Sequence, residues 1–219
     1  MSVCGESWRL FRTRDIYKVL DVPRWAMPRE IRSAAYQLIM KEHPNQRAAN
    51  QPQRALDRCK LVFRIMSILT NDKQRALYDS PSEFPQERAS SELNLAFSTV
   101  LSLCGWLIKD SQDQSGVNAV FRNNYKGSHL ELLDIKAAYT LGKGCMDRLI
   151  IELPLMTVKD EPRIRKIIKK LTKSKELPVY SKFINESLEK RRRRRLKFAV
   201  YDSYEEQSQS KSNPNSFEL

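Results

Sequence analysis

Glycine is scarce, with six in 219 residues, and β-branched residues rarely run together. Both absences count against a sheet protein. Histidine is scarcer still, with two. The four cysteines, Cys4, Cys59, Cys104 and Cys145, stand at no metal-ligand or redox spacing. That speaks against a metal site and a disulfide framework. It predicts reduced, mostly buried thiols in an intracellular protein. There is no glycine-rich phosphate loop and no nucleophile–base pair. The chain therefore reads as a binding protein without a cofactor, not as an enzyme. Arg9, Arg12 and Arg14 interrupt the N-terminus before any secretory apolar core could form. The most apolar stretch, Leu93 to Ile108, is broken by Asn94, Ser98, Thr99, Ser102 and Gly105. It is shorter than the roughly 20 apolar residues of a membrane span. It reads as a buried helix, and no membrane contact is expected.

What is present suits an all-α protein with much solvated surface: 41% apolar and 30% charged residues. The length allows one or two modest domains with real cores. The net charge is +13, unevenly placed. Lys159 to Val200 carries sixteen Lys/Arg against five Asp/Glu, whereas Tyr201 to Leu219 carries one Lys against four Asp/Glu. A basic C-terminal third points to an acidic partner, a nuclear import receptor, or both.

Helical punctuation divides the chain. Residues 1–13 read as a flexible lead. A short helix follows from Arg14, with Ile16, Tyr17 and Leu20 on its apolar side. Pro28 fits a helix first turn, and Ile31, Ala35 and Leu38 then share one face up to about Glu42. Pro52 to Leu69 repeats the pattern with Ala55, Cys59, Val62, Met66 and Leu69. Asp72 is placed to cap a short helix from Lys73 to Tyr78. Residues 14–79 therefore form one domain, an antiparallel helical hairpin with two short helices. Pro81 and Pro85 open a linker region, 80–116, that includes the apolar helix. A second helical domain spans 117–200. In it, Gly127 ends one helix, and Ser128 to Glu131 forms a capping box for the next. Helices follow from Cys145 and from Asp160, and a last one from Leu177 runs into Arg191 to Arg195. The Ser-, Gln- and Asn-rich tail, 201–219, reads as disordered.

The hairpin loop carries His43-Pro44-Asn45. With Asp15-Ile16-Tyr17-Lys18-Val19-Leu20, Glu30-Ile31-Arg32 and Gln74-Arg75-Ala76-Leu77-Tyr78-Asp79, this region resembles the J domain of the DnaJ co-chaperones. The resemblance implies a docking surface for the seventy-kilodalton heat shock protein ATPase, whose ATP hydrolysis docking stimulates. That surface would comprise His43, Pro44, Asn45, Arg29, Arg32, Lys41, Gln74 and Arg75. The family has aspartate where this chain has Asn45, and the aspartate faces a basic residue of the ATPase. Asn45 accepts a hydrogen bond but carries no charge. A hydrogen bond to a charged group is worth about 1.5–3 kcal/mol, against about 1 for a neutral one. Tyr36 and Gln37 also stand where basic residues are usual. The expectation is weak or lost stimulation.

Phe121-Arg122-Asn123-Asn124-Tyr125-Lys126-Gly127-Ser128, Asp134-Ile135-Lys136-Ala137-Ala138-Tyr139, Lys143-Gly144-Cys145-Met146-Asp147 and Asp160-Glu161-Pro162-Arg163-Ile164-Arg165 resemble the DnaJ subfamily C member nine family. That resemblance implies a nuclear histone chaperone whose C-terminal helices hold histones three and four. The candidate histone-binding residues are Tyr125, Asp134, Tyr139, Asp147, Glu161 and Arg163. On their own, the acids also suit helix capping, Glu131 and Asp160 above all.

Lys190, Arg191, Arg192, Arg193, Arg194, Arg195 and Lys197 match a nuclear import segment. They also suit non-specific nucleic-acid binding through phosphates, or a solvated helix end favoured by the dipole. The expected function is a divergent histone co-chaperone of the nucleus, with the cytoplasm as a second compartment. The alternative is a nucleic-acid-binding nuclear protein that keeps the J fold as scaffold.

Overall fold

The computed structural model describes residues 2–44, 51–80, 91–109 and 116–211. Every regular element among them is helical, as the scarcity of glycine and β-branched runs predicts. They divide into two compact units. The first holds Met1–Asp134 with Glu152–Leu155, and the second holds Ile135–Ile151 with Met156–Leu219.

The first unit opens with a helix where a flexible lead is expected. α1 (Val3–Phe11) starts at Ser2, whose hydroxyl accepts from the Gly5 N–H at 3.2 Å. Val3, Ser7 and Leu10 recur at four and three residues, and all three are buried. Arg9 and Arg12 fall on the outer side and disguise this stripe in the composition. α2 (Ile16–Leu20) is capped by Asp15, which accepts from the Tyr17 N–H at 3.0 Å. α3 (Pro28–Glu42) and α4 (Pro52–Leu69) form the hairpin. The Glu42 carboxylate meets Arg58 at 3.1 Å, and the Cys59 thiol donates to the Ile39 carbonyl at 3.7 Å. The end of one helix thus lies beside the start of the other, which makes the pair antiparallel. The expected stripe of Ala55, Cys59, Val62, Met66 and Leu69 is buried throughout. α5 (Asp72–Asp79) is capped by Asn71 rather than Asp72. The Asn71 amide oxygen accepts from the Lys73 and Gln74 N–H groups at 3.1 and 3.2 Å.

α6 (Ser91–Lys109) joins this core instead of standing apart in a linker. Phe97, Val100, Cys104 and Leu107 are buried at spacings of three, four and three. Phe97 meets Phe63 edge-on at 5.7 Å. Among the described residues no helix is long and apolar enough to cross a membrane. The proline linker positions, Pro81 and Pro85, lie outside the described residues. α7 (Val117–Asn124) adds Val120 and Phe121 to the same core.

α8 (His129–Leu141) begins as expected. The Ser128 hydroxyl accepts from the Glu131 N–H at 3.2 Å, and the Glu131 carboxylate reaches back to the Gly127 N–H at 2.7 Å. α9 (Met146–Glu152), a 3₁₀ turn at Val158–Asp160 and α10 (Glu161–Lys173) follow. Gly144 adopts φ +79°, and a Cβ there would stand 2.7 Å from that of Tyr180, so both backbone and space demand glycine. The last helix is two. α11 (Ser181–Ile184) stops, and α12 (Leu188–Lys211) restarts with the Ser187 hydroxyl accepting from the Lys190 N–H at 3.2 Å. α12 also runs through 201–211, where a disordered tail is expected. No glycine or proline interrupts it, and Arg, Lys, Leu, Glu and Gln are good helix formers. Residues 212–219 lie outside the described residues.

Candidate functional site

α3 ends at His43, whose φ of −57° and ψ of 136° leave the helical region. Its N–H still donates to the Met40 carbonyl at 3.3 Å. The His43 side chain is only 6% exposed. Gly105 of α6 lies against it, and a Cβ on Gly105 would stand 3.1 Å from Nε2. Pro44 is partly exposed. Asn45 lies outside the described residues.

The face of α3 that the J-domain resemblance marks for docking is engaged within the first unit. Arg29 is buried. The Arg32 guanidinium donates to the Glu152 carboxylate at 3.2 Å, and Glu152 is itself buried. Tyr36 donates its hydroxyl to one oxygen of Asp134 at 2.7 Å, and Tyr125 donates to the other, also at 2.7 Å. Burial pushes the Asp134 carboxyl above its ordinary range, although Arg32 and the two hydroxyls pull it back. Burial, together with the Asp134 charge, raises both phenols well above theirs. Burial opposes the charge on Arg32, yet the facing Tyr36, Asp134 and Glu152 raise its pKa overall. Lys41 alone of the three α3 cations is exposed.

Arg75 serves the fold around the hairpin. It donates to the Tyr17 hydroxyl at 3.1 Å and to the Ala26 and Arg24 carbonyls at 2.8 and 2.6 Å. Tyr17 in turn donates to the Asp79 carboxylate at 3.0 Å. The tyrosine and aspartate of the J-type motifs thus clamp α5 onto α2, and Gln74 is partly buried beside them.

The second unit is organised by one buried arginine. Arg194 of α12 is 2% exposed. Its guanidinium meets Glu161 at 2.8 Å, Glu186 at 2.6 Å and Asp147 at 2.7 Å. Arg165 also pairs with Glu161, at 2.8 Å, and with Glu186. Burial alone would raise both glutamates, but the Arg194 and Arg165 bonds outweigh it and hold them below their ordinary range. Burial likewise opposes the Arg194 charge, and Glu186, Glu161 and Asp147 outweigh it. Tyr139 packs between Tyr180 and Phe183, with ring centroids 5.3 and 5.5 Å away.

Of the six candidate histone contacts, Tyr125, Asp134, Tyr139 and Glu161 are therefore interior residues. Asp147 is partly exposed but held by Arg194, and Arg163 sits 3.6 Å from Asp160. The basic run is also less uniform than its sequence. Lys190, Arg192, Arg193, Arg195 and Lys197 are exposed, Arg191 is half-buried 3.5 Å from Glu186, and Arg194 is interior. Glu186 and Glu152 lie outside the expected residues: Glu152 meets Arg32 across 120 positions, and Glu186 meets Arg194 across a helix break that the spacing does not mark. Gly105 did carry a signal: a lone glycine inside an apolar helix marks a close approach. Among the described residues no group of three His, Cys, Asp or Glu side chains is arranged to hold a metal ion. The site's side chains are engaged in charge pairing and hydrogen bonding.

The family model described as the DnaJ domain matches residues 15–79, and the one described as the DNAJC9 HTH domain matches residues 125–193. A J domain-containing protein of Drosophila melanogaster is 32% identical over 191 residues, covering 87% of this chain and 62% of its own length. DnaJ homolog subfamily C member 9 of Mus musculus is 34% identical over 182 residues, covering 83% of this chain and 68% of its own. Chaperone protein dnaJ 6 of Arabidopsis thaliana is 27% identical over 200 residues, covering 86% and 68%. The chain thus spans less than two thirds of the fly relative's length. No solved structure matches it.

Proposed function

Because the chain belongs to the DnaJ homolog subfamily C member 9 family of J-domain proteins, we propose that it is a nuclear histone co-chaperone whose J-like domain has weakened or lost stimulation of the heat shock protein 70 class ATPase. One observation carries the second half of this reading. Arg32 is paired with Glu152, Tyr36 with Asp134, and His43 is covered by Gly105. Docking on the ATPase would have to compete with these internal contacts, in addition to lacking the charge absent at Asn45. A buried pair broken by removing one partner costs about 3–5 kcal/mol, more than one restored charge would return.

Histone binding rests on the family. The four interior candidates position the helices, and Asp147 and Arg163 are the ones left for contact at the surface. Single-turnover ATP hydrolysis by the chaperone tests the J-like domain. The expected result is no stimulation by the chain and at most partial stimulation by Asn45→Asp. Full stimulation by the unmodified chain overturns this reading.

The exposed cations of α12 favour a second reading, nuclear nucleic-acid binding with the J fold as scaffold. They also leave Lys190, Arg192, Arg193, Arg195 and Lys197 for an import receptor. Pull-down with histones three and four against duplex DNA, across a salt series, separates the two. Absent histone binding, with DNA affinity falling by a log–log slope of about −0.9 per phosphate contact, selects the second.

A further inference from the structure

The second unit carries a groove of about 450 Å³ in which Tyr139 is the one candidate histone contact, and that ring is buried. Arg165, Lys169 and Lys173 recur every fourth residue along α10 and form one wall. Val179, Ile184 and Arg191 line the groove as well, together with the buried rings of Tyr139 and Phe183. Arg165 is committed to Glu161 and Glu186, and Arg191 leans towards Glu186. Lys169 and Lys173 are exposed and reach no carboxylate among the described residues. Val179 and Ile184 are 61% and 59% exposed. Two ammonium groups and two solvated aliphatic side chains thus line one groove.

From these facts we propose that the groove binds a short extended peptide that alternates acidic and apolar residues. From Arg165 to Lys173, α10 runs about 12 Å at 1.5 Å per residue. Three or four extended residues, at about 3.3 Å each, span that length. Lysines four apart on a helix place their Cβ atoms about 5–6 Å apart. In an extended chain, side chains two apart share a face at about 6.6 Å. Carboxylates at alternate positions therefore match Lys169 and Lys173, and the intervening side chains point at Val179 and Ile184. A basic histone segment would meet like charge here. A phosphate backbone would leave the aliphatic wall uncovered, and no exposed aromatic lines the groove for base stacking. The inference does not depend on histone binding or on the J-like domain.

Fluorescence anisotropy of the full chain with a labelled hexapeptide of alternating Asp and Leu tests this. Saturable binding is expected. It weakens by about tenfold, the equivalent of 1.4 kcal/mol, in Lys169→Glu/Lys173→Glu. A similar loss follows in Val179→Ser/Ile184→Ser. These residues are exposed, so circular dichroism should show all variants folded. A hexapeptide of alternating Lys and Leu should bind the lysine-reversed variant better than the original chain. The proposal is overturned by non-saturable binding, or by binding that ignores Val179→Ser/Ile184→Ser. Complete displacement by duplex DNA with no dependence on the aliphatic wall would assign the groove to phosphate instead.

Discussion

Asp134 accepts one phenol on each carboxylate oxygen and faces Arg32. An amide in its place has a single acceptor oxygen, so one buried hydroxyl would face an NH₂ group. Asp134→Asn is expected to cost about 1.5–3 kcal/mol, read as a lowered urea midpoint. Arg194 is more exacting, since it pairs at once with Glu161 and Glu186 in the interior. Arg194→Ala takes the interior cation from two buried carboxylates, leaving them Arg165, and is expected to cost up to about 3–5 kcal/mol. Arg194→Lys restores the charge but not the fork, and should recover only part of it. Sequence reading found these residues but not their roles. Asp134 reads in the sequence as a candidate histone contact, because its partner Tyr36 lies 98 positions away. Arg194 looked like its neighbours because nothing local distinguishes it.

At the scale of the element, periodicity foretold the α3–α4 hairpin, and the length of the interrupted apolar stretch foretold α6 as a buried helix without giving the face it buries. It missed α1, where arginines on the outer side hid a stripe of three. Leu10 of that stripe is 7% exposed. Leu10→Ala is expected to cost about 2–4 kcal/mol, visible in chemical denaturation, whereas a flexible lead would show no change. α6 offers the converse test. Gly105→Val places carbon atoms against the His43 ring, where a Cβ alone would stand 3.1 Å from Nε2. Overpacking of this kind costs about 1–3 kcal/mol and should shift the His43 imidazole resonances. The break between α11 and α12 was illegible because apolar spacing continues across it while Ser187 restarts the helix.

Over the whole molecule, the shifted carboxylates of the two units respond to acid with opposite signs. In the second unit, Glu161 and Glu186 are held below their ordinary 4.5. Their contribution is present above that value and is lost as pH falls through the lower folded values. In the first unit, Asp134 is raised above its ordinary 3.8. Its contribution is full below that value and is lost as pH rises through the folded one. Hydrogen exchange on acidification below pH 4.5 should therefore show protection falling in the second unit first. Glu161→Gln should flatten that acid limb and leave the response of the first unit unchanged. The charge asymmetry behind this was plain in the sequence. The pairing that sets each sign was not, since it depends on helices that meet only in the folded chain.

The arginine run also constrains how the gene can drift. At Arg192 and Arg195 a codon change to lysine keeps a solvated cation and should be silent, and at Arg193 it loosens one exposed pair with Glu189. The same change two or one codons away, at Arg194, falls on the fold itself. Within one basic tract, the exposed positions require only charge, whereas Arg194 requires the shape of its fork.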